Sequence, residues 1–219
     1  MGNYERSMLM IKELYLQEWE RFKKDYVKIF LLIMVISLTA SLFFYFFLVA
    51  NEEITMMGME QLVEVFEELG MTPGMSQLEM FNLILMQNLR ASLVTIALGI
   101  IPIVVLPLAS PALTTISVSV VMAFVKIQEG NVLNTVLYTI LPHGVVELPA
   151  LFISGSVGVF LSLNVLRKIF PREDEEEVQL QPIIVQAVRT YFLVIVPLIV
   201  VAALLESFLT PVLAQRFFV

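Results

Sequence analysis

Met8, Ile11, Tyr15, Trp19, Phe22 and Tyr26 follow one another at steps of three or four, with Glu13, Gln17, Arg21 and Lys24 between them. That period draws one apolar face on a helix, so residues 1–28 are expected to form an amphipathic helix, either lying on the membrane or packed beneath the spans. From residue 29 the alternation stops. Residues 29–50 carry no charge, and about 20 such residues cross a hydrocarbon core, which makes this the first span. Polar positions return over 51–89, where Met59, Leu62, Val63, Phe66 and Leu69 define one helix ending near Gly70. "TPG" then makes a turn and a second helix starts around Ser76, giving a helical hairpin. A second span is read at 90–109, kinked by Gly99, Pro102 and Pro107, and a third at 112–127, followed by a turn at "QEGN". The apolar stretch 131–166 is too long for one crossing and too short for two. It divides into an interfacial or re-entrant piece at 131–141 and a fourth span at 142–166. An acidic loop at 167–182 containing "EDEEE" precedes a fifth span at 183–206, with a tail at 210–219.

Composition fixes the class. The chain is 58% hydrophobic and only 15% charged, with a mean hydropathy of +0.88, against about 25% charged residues in soluble domains. Backbone groups in lipid must be satisfied internally, and the alternation of barrel strands is absent. The fold class is therefore an all-α polytopic transmembrane helical bundle, one integral membrane domain of five spans. The absence of cysteine excludes disulfides and thiolate metal sites. Mostly polar residues precede the first apolar run and no small-residue cleavage site follows it, so that run is expected to be a permanent anchor. No phosphate-cradling glycine loop, serine triad or nucleic-acid patch is present. The first partner expected is the lipid bilayer, and nucleic acid is not one.

Charge placement sets the expected orientation. Arg6, Lys12, Arg21, Lys23, Lys24 and Lys28 precede the first span, and Arg167, Lys168, Arg172 and Arg189 flank the loop between spans four and five. The positive-inside rule then puts the N-terminus and that loop in the cytoplasm of a multi-pass cell-membrane protein, and the 51–89 hairpin outside. Two acidic residues break the pattern. Glu147 and Glu206 sit in apolar spans, where an ionisable group costs roughly 2.5 to 3.5 kcal/mol on insertion scales, so each needs a reason. Counting about 1.5 Å per residue from the loop brings both to one depth near the outer boundary, shared with Asn88, Arg90 and the single histidine, His143. His143, Glu147, Ala150, Ser154, Gly158 and Ser162 succeed one another at steps of four or three and draw one stripe. Small residues at that spacing let helices approach closely, so the stripe faces protein.

"ILPHGVVELPALFISGSVG" (140–158) and "LLESFLTP" (204–211) closely resemble the two most recognisable stretches of the stage II sporulation protein M family, approximately PHGxxELPAxxxxGxxG and IExFxTP. "QNLRAS" (87–92) looks like a variant of the family's NNxRxA, with Gln87 in place of the first asparagine. The asparagine-glycine usual after the second span has no counterpart, since Ser110 and Pro111 stand there. The resemblance implies a multi-span membrane protein which, in spore formers, works with peptidoglycan-degrading partners during engulfment. It implies His143, Glu147 and Glu206 as motif positions and carries no enzymatic activity with it.

Three readings of the cluster stay open on sequence. In one, Arg90 pairs with Glu147 or Glu206, His143 bonds the other carboxylate and Asn88 caps a helix, a polar network with a structural role. In the second, His143, Glu147 and Glu206 are the N/O ligands of a divalent metal such as zinc with one position open, as a metal-dependent hydrolase needs. The third makes the carboxylates the coupling groups of a permease. The reading adopted is a non-enzymatic scaffold for cell-envelope partners whose cluster holds the outer half together. The small-residue stripe and apolar hairpin also suit a homodimer.

Overall fold

The computed structural model describes residues 3–72, 74–171 and 177–218, and every regular element among them is helical. Pro73 of the "TPG" turn and residues 172–176, which hold most of the acidic run expected in the 167–182 loop, lie outside the described residues. Five helical stretches are long and apolar enough to cross a membrane: Glu5–Val49, Gln77–Leu98, Leu106–Ile127, Val132–Ile169 and Leu180–Phe217.

The first stretch contains α1 (Asn3–Arg21) and α2 (Val27–Val49), joined by a π turn at Phe22–Tyr26. α3 (Glu52–Glu68) follows at once, and α4 (Gln77–Leu98) begins at Ser76. A capping box fixes that start. Ser76 Oγ accepts from the Glu79 amide at 3.3 Å, while Glu79 Oε2 accepts from the Ser76 amide at 2.8 Å, satisfying donors a helix start leaves open. The second hairpin helix and the second span are thus one helix. Where the sequence suggested a kinked span to residue 109, α4 stops at Leu98 and non-helical chain leads to α5 (Ala109–Ile127) through a single 3-10 turn at Leu106–Leu108. Pro102 and Pro107 cannot donate to a helical ladder, which is the physical reason for the break.

The fourth stretch also differs from expectation. Residues 132–140 are helical, as α6 (Val132–Thr135) and a π turn at Val136–Ile140, and run without interruption into α7 (Leu141–Ile169). The last stretch is likewise continuous. It comprises α8 (Leu180–Thr190), α9 (Val196–Leu204) and α10 (Thr210–Phe218), joined by π turns at Tyr191–Ile195 and Leu205–Leu209. Prolines account for these wide turns. In three of them the residue just before a proline donates five residues back: Leu141 to Val136, Val196 to Tyr191 and Thr210 to Leu205. Pro142, Pro197 and Pro211 each lack an N–H and would press their rings on the carbonyl four residues earlier; widening the preceding turn relieves that clash. Pro149 is held inside α7 without such a turn.

α7 is the axis of the bundle. It packs against α2, α4 and α9, while α2 also lies along α5 and α3 covers α5. Its small-residue stripe is buried, Ala150, Ser154 and Ser162 being at most 1% exposed. Ser162 Oγ donates to the Ile101 carbonyl at 2.9 Å, tying the non-helical segment to α7. Gly99 packs on the backbone of Gly158, where a Cβ would collide with the Gly158 carbonyl. The main apolar cluster sets Ile153 and Val157 of α7 against Ile96 of α4, Ile195 and Ile199 of the last stretch, and Tyr26.

α1 is fastened by a buried ion cluster. Both oxygens of the Glu18 carboxylate, 3% exposed, are engaged: Oε1 by Arg189 Nε at 2.8 Å and Arg21 Nη1 at 3.1 Å, Oε2 by Thr190 Oγ1 at 2.9 Å. Arg189 Nη2 further donates to Gln17 at 2.9 Å, and Gln186 bridges Asp25 and the Tyr26 hydroxyl at 3.0 Å each.

Candidate functional site

His143 and Glu147 occupy successive turns of α7 just after Pro142, so their side chains leave the helix on one face. His143 Nε2 lies 3.9 Å from Glu147 Oε2. Glu206 arrives from the π turn at Leu205–Leu209, and one ligand atom from each of the three residues lies within 4.8 Å of the other two. α4 contributes Asn88, whose Nδ2 donates to Glu147 Oε1 at 3.1 Å. The depth count brought these four residues to one level, and the structure brings their side chains together. Arg90 is not brought in. It is exposed on α4, and among the described residues neither Glu147 nor Glu206 has a Lys or Arg ion partner.

Thr210 is the site residue that sequence reasoning missed. Its Oγ1 stands 3.4 Å from His143 Nδ1 and 3.2 Å from the Leu205 carbonyl, one turn back along its own helix. The signal was available, since Glu206 and Thr210 of "LLESFLTP" repeat the four-residue spacing of His143 and Glu147. The threonine can also set the tautomer of the histidine. In the arrangement where the Thr210 hydroxyl donates to the Leu205 carbonyl, Oγ1 accepts the Nδ1–H of His143, and that tautomer turns the Nε2 lone pair towards the carboxylates. Nε2 and the free oxygens of Glu147 and Glu206 are then all acceptors. Such a set repels itself unless a proton or a cation sits within it.

The donor set suits a metal ion in kind and arrangement. Imidazole nitrogen with carboxylate oxygens is an N/O set for zinc or a similar divalent ion. Ligand atoms about 2.0 to 2.2 Å from one zinc stand roughly 3.4 Å apart at tetrahedral angles, so closing from the present spread takes side-chain movement on the order of an ångström. Asn88 on Glu147 and Thr210 on His143 would be the outer partners that orient the ligands of such an ion. The cluster opens on a cavity of about 390 Å³ whose other walls include Leu62 and Phe66 of α3, Leu69 just after it, and Leu113 and Val118 of α5. This apolar vestibule lies beside the polar trio. A three-ligand ion would have a free coordination position next to it.

A family model described as Stage II sporulation protein M matches residues 29–211. The match begins at the first residue of the uncharged run in α2 and ends one residue after Thr210, so it contains the whole cluster. No curated protein and no solved structure matches the chain.

Proposed function

The chain is a multi-pass membrane protein belonging to the stage II sporulation protein M family, and on that premise we propose that it is a non-enzymatic scaffold for envelope-remodelling partners, clasped by a divalent cation on His143, Glu147 and Glu206. The observation that carries this reading is the convergence of three N/O ligand groups within 4.8 Å with no Lys or Arg paired to either carboxylate among the described residues. A cation there would join α7 to the last helical stretch, and Asn88 would bring α4 into the same unit. Partner contact is left to the apolar surfaces of α2 and α3, where residues such as Phe43, Phe46, Met57 and Val63 are exposed. The positive charges support an N-terminus in the cytoplasm and a clasp in the outer half of the bilayer.

Elemental analysis of the detergent-purified chain should find about one equivalent of a transition metal, and His143→Ala should lower it at least tenfold. Stripping the metal should lower the melting temperature of the native chain and leave that of His143→Ala unchanged. Less than about 0.1 equivalent, with none taken up on titration, would remove the clasp.

The vestibule favours one further reading. A metal-bound water in the open position would face a cavity of about 390 Å³, and such a water is a nucleophile at neutral pH. A metal-loaded hydrolase should then cleave a peptide or lipid-linked substrate. Glu147→Asp that keeps its metal should slow that cleavage, and absence of turnover by the loaded native chain across both substrate classes would leave the scaffold alone.

A further inference from the structure

A second cavity lies at the opposite end of the bundle, between α1 and the last helical stretch. It measures about 370 Å³, with Tyr15, Trp19 and Phe22 on one wall and Leu193, Val194 and Leu198 on the other, a size within the roughly 300 to 1,000 Å³ of small-ligand pockets. The carboxylate and the threonine hydroxyl that border it are already paired. The Glu18 carboxylate that borders it is held by Arg189, Arg21 and Thr190, and Thr190 spends its hydroxyl hydrogen on that carboxylate. Inward of the Tyr15 hydroxyl and the Trp19 indole N–H, a polar ligand would lose its hydration and find no partner, so the inner cleft selects an apolar occupant.

The rim selects the other end of that occupant. Trp19 and Tyr15 are half exposed, at 56% and 47%, as expected of aromatic side chains at headgroup level. Lys12 and Lys23 bracket them along the same face of the helix, at seven residues before and four after Trp19. Lys23 Nζ lies 5.9 Å from the Trp19 ring centroid and also pairs with Glu20, whereas Lys12 is exposed and makes no ion pair among the described residues. An apolar slot with an aromatic rim, and with Lys12, unpaired among the described residues, on the same helix face beyond that rim, matches an amphiphile with an anionic head. The α1 wall precedes the matched region, which begins at residue 29.

We propose that the cleft between α1 and the last helical stretch binds one phospholipid of anionic headgroup, an acyl chain between Trp19 and Val194 and its headgroup on Lys12. The lipid would seat α1 on the bilayer surface and fill the gap that the Glu18 ion cluster leaves between the helices.

Trp19 is the only tryptophan in the chain and therefore reports on the cleft directly. The full chain in detergent would be titrated with phosphatidylglycerol brominated in mid-chain, and separately with equally brominated phosphatidylcholine. Trp19 fluorescence should be quenched saturably, at one phosphatidylglycerol per chain, with phosphatidylcholine at least tenfold weaker. Lys12→Gln should bring the two lipids to within about twofold of each other. Val194→Phe, which fills the slot, should abolish the saturable component at an unchanged melting temperature. Quenching that rises linearly with either lipid, or that Lys12→Gln leaves selective, would overturn the proposal. Should Val194→Phe not fold, the Lys12→Gln comparison decides alone.

Discussion

Gly158→Ala is expected to destabilise the bundle by about 1 to 3 kcal/mol, the usual cost of forcing atoms into a packed interior. An added Cβ would lie 2.7 Å from both the Thr95 carbonyl oxygen and Pro107 Cβ. The first belongs to the backbone of α4 and the second to a rigid ring, so neither can swing aside as the end of a long side chain would. The expected result is a lower melting temperature of the purified protein, with α4 displaced from α7. Gly144→Ala supplies the control within the same helix. Its Cβ would meet only Ile140 Cγ2 at 3.8 Å, an ordinary contact, and alanine gains up to about 1 kcal/mol of helix propensity over glycine. The prediction fails if the two variants melt together.

The second large effect concerns the buried contact that fastens α1. Glu18→Ala leaves Arg189 and Thr190 facing a cavity in place of a carboxylate, and removing one member of a buried ion pair costs about 3 to 5 kcal/mol. Both arginine side chains retain 28% exposure, which lets water compensate them in part, so about 3 kcal/mol is expected here. Urea-induced release of α1, followed by Trp19 fluorescence, would measure it. Glu18→Met combined with Arg189→Met should recover most of the loss, because no uncompensated charge then stays buried. A double variant as unstable as Glu18→Ala would show that packing, rather than the charge, fastens α1.

Much of this architecture was legible in the chain. The apolar runs and the Ser76 start were read from local pattern, and depth counting brought His143, Glu147, Glu206 and Asn88 to one level because rise per residue is nearly constant in a helix. Arg90 shows where depth alone misleads. Two residues of helix turn a side chain by about 200°, so Arg90 points away from the face that carries Asn88. Glu18 was illegible for a different reason: its partners Arg189 and Thr190 lie more than 170 residues along the chain, and no local period announces such a contact. The continuity of residues 132–140 with α7 was hidden by Pro142, read as a break although a widened turn lets the helix pass through it.

Those widened turns set the phase of the helices that carry the cluster. Each spends one residue more than a regular turn, so everything beyond it is rotated by about 100° from where an unbroken α-helix would have left it. The turn at Leu205–Leu209 stands between α9 and Thr210, so the threonine meets His143 only because that extra residue is present. A single-residue deletion inside this turn would tighten it into regular helix and leave α9 untouched, while the same deletion within α9 would swing Glu206 and Thr210 together off the face they share with α7.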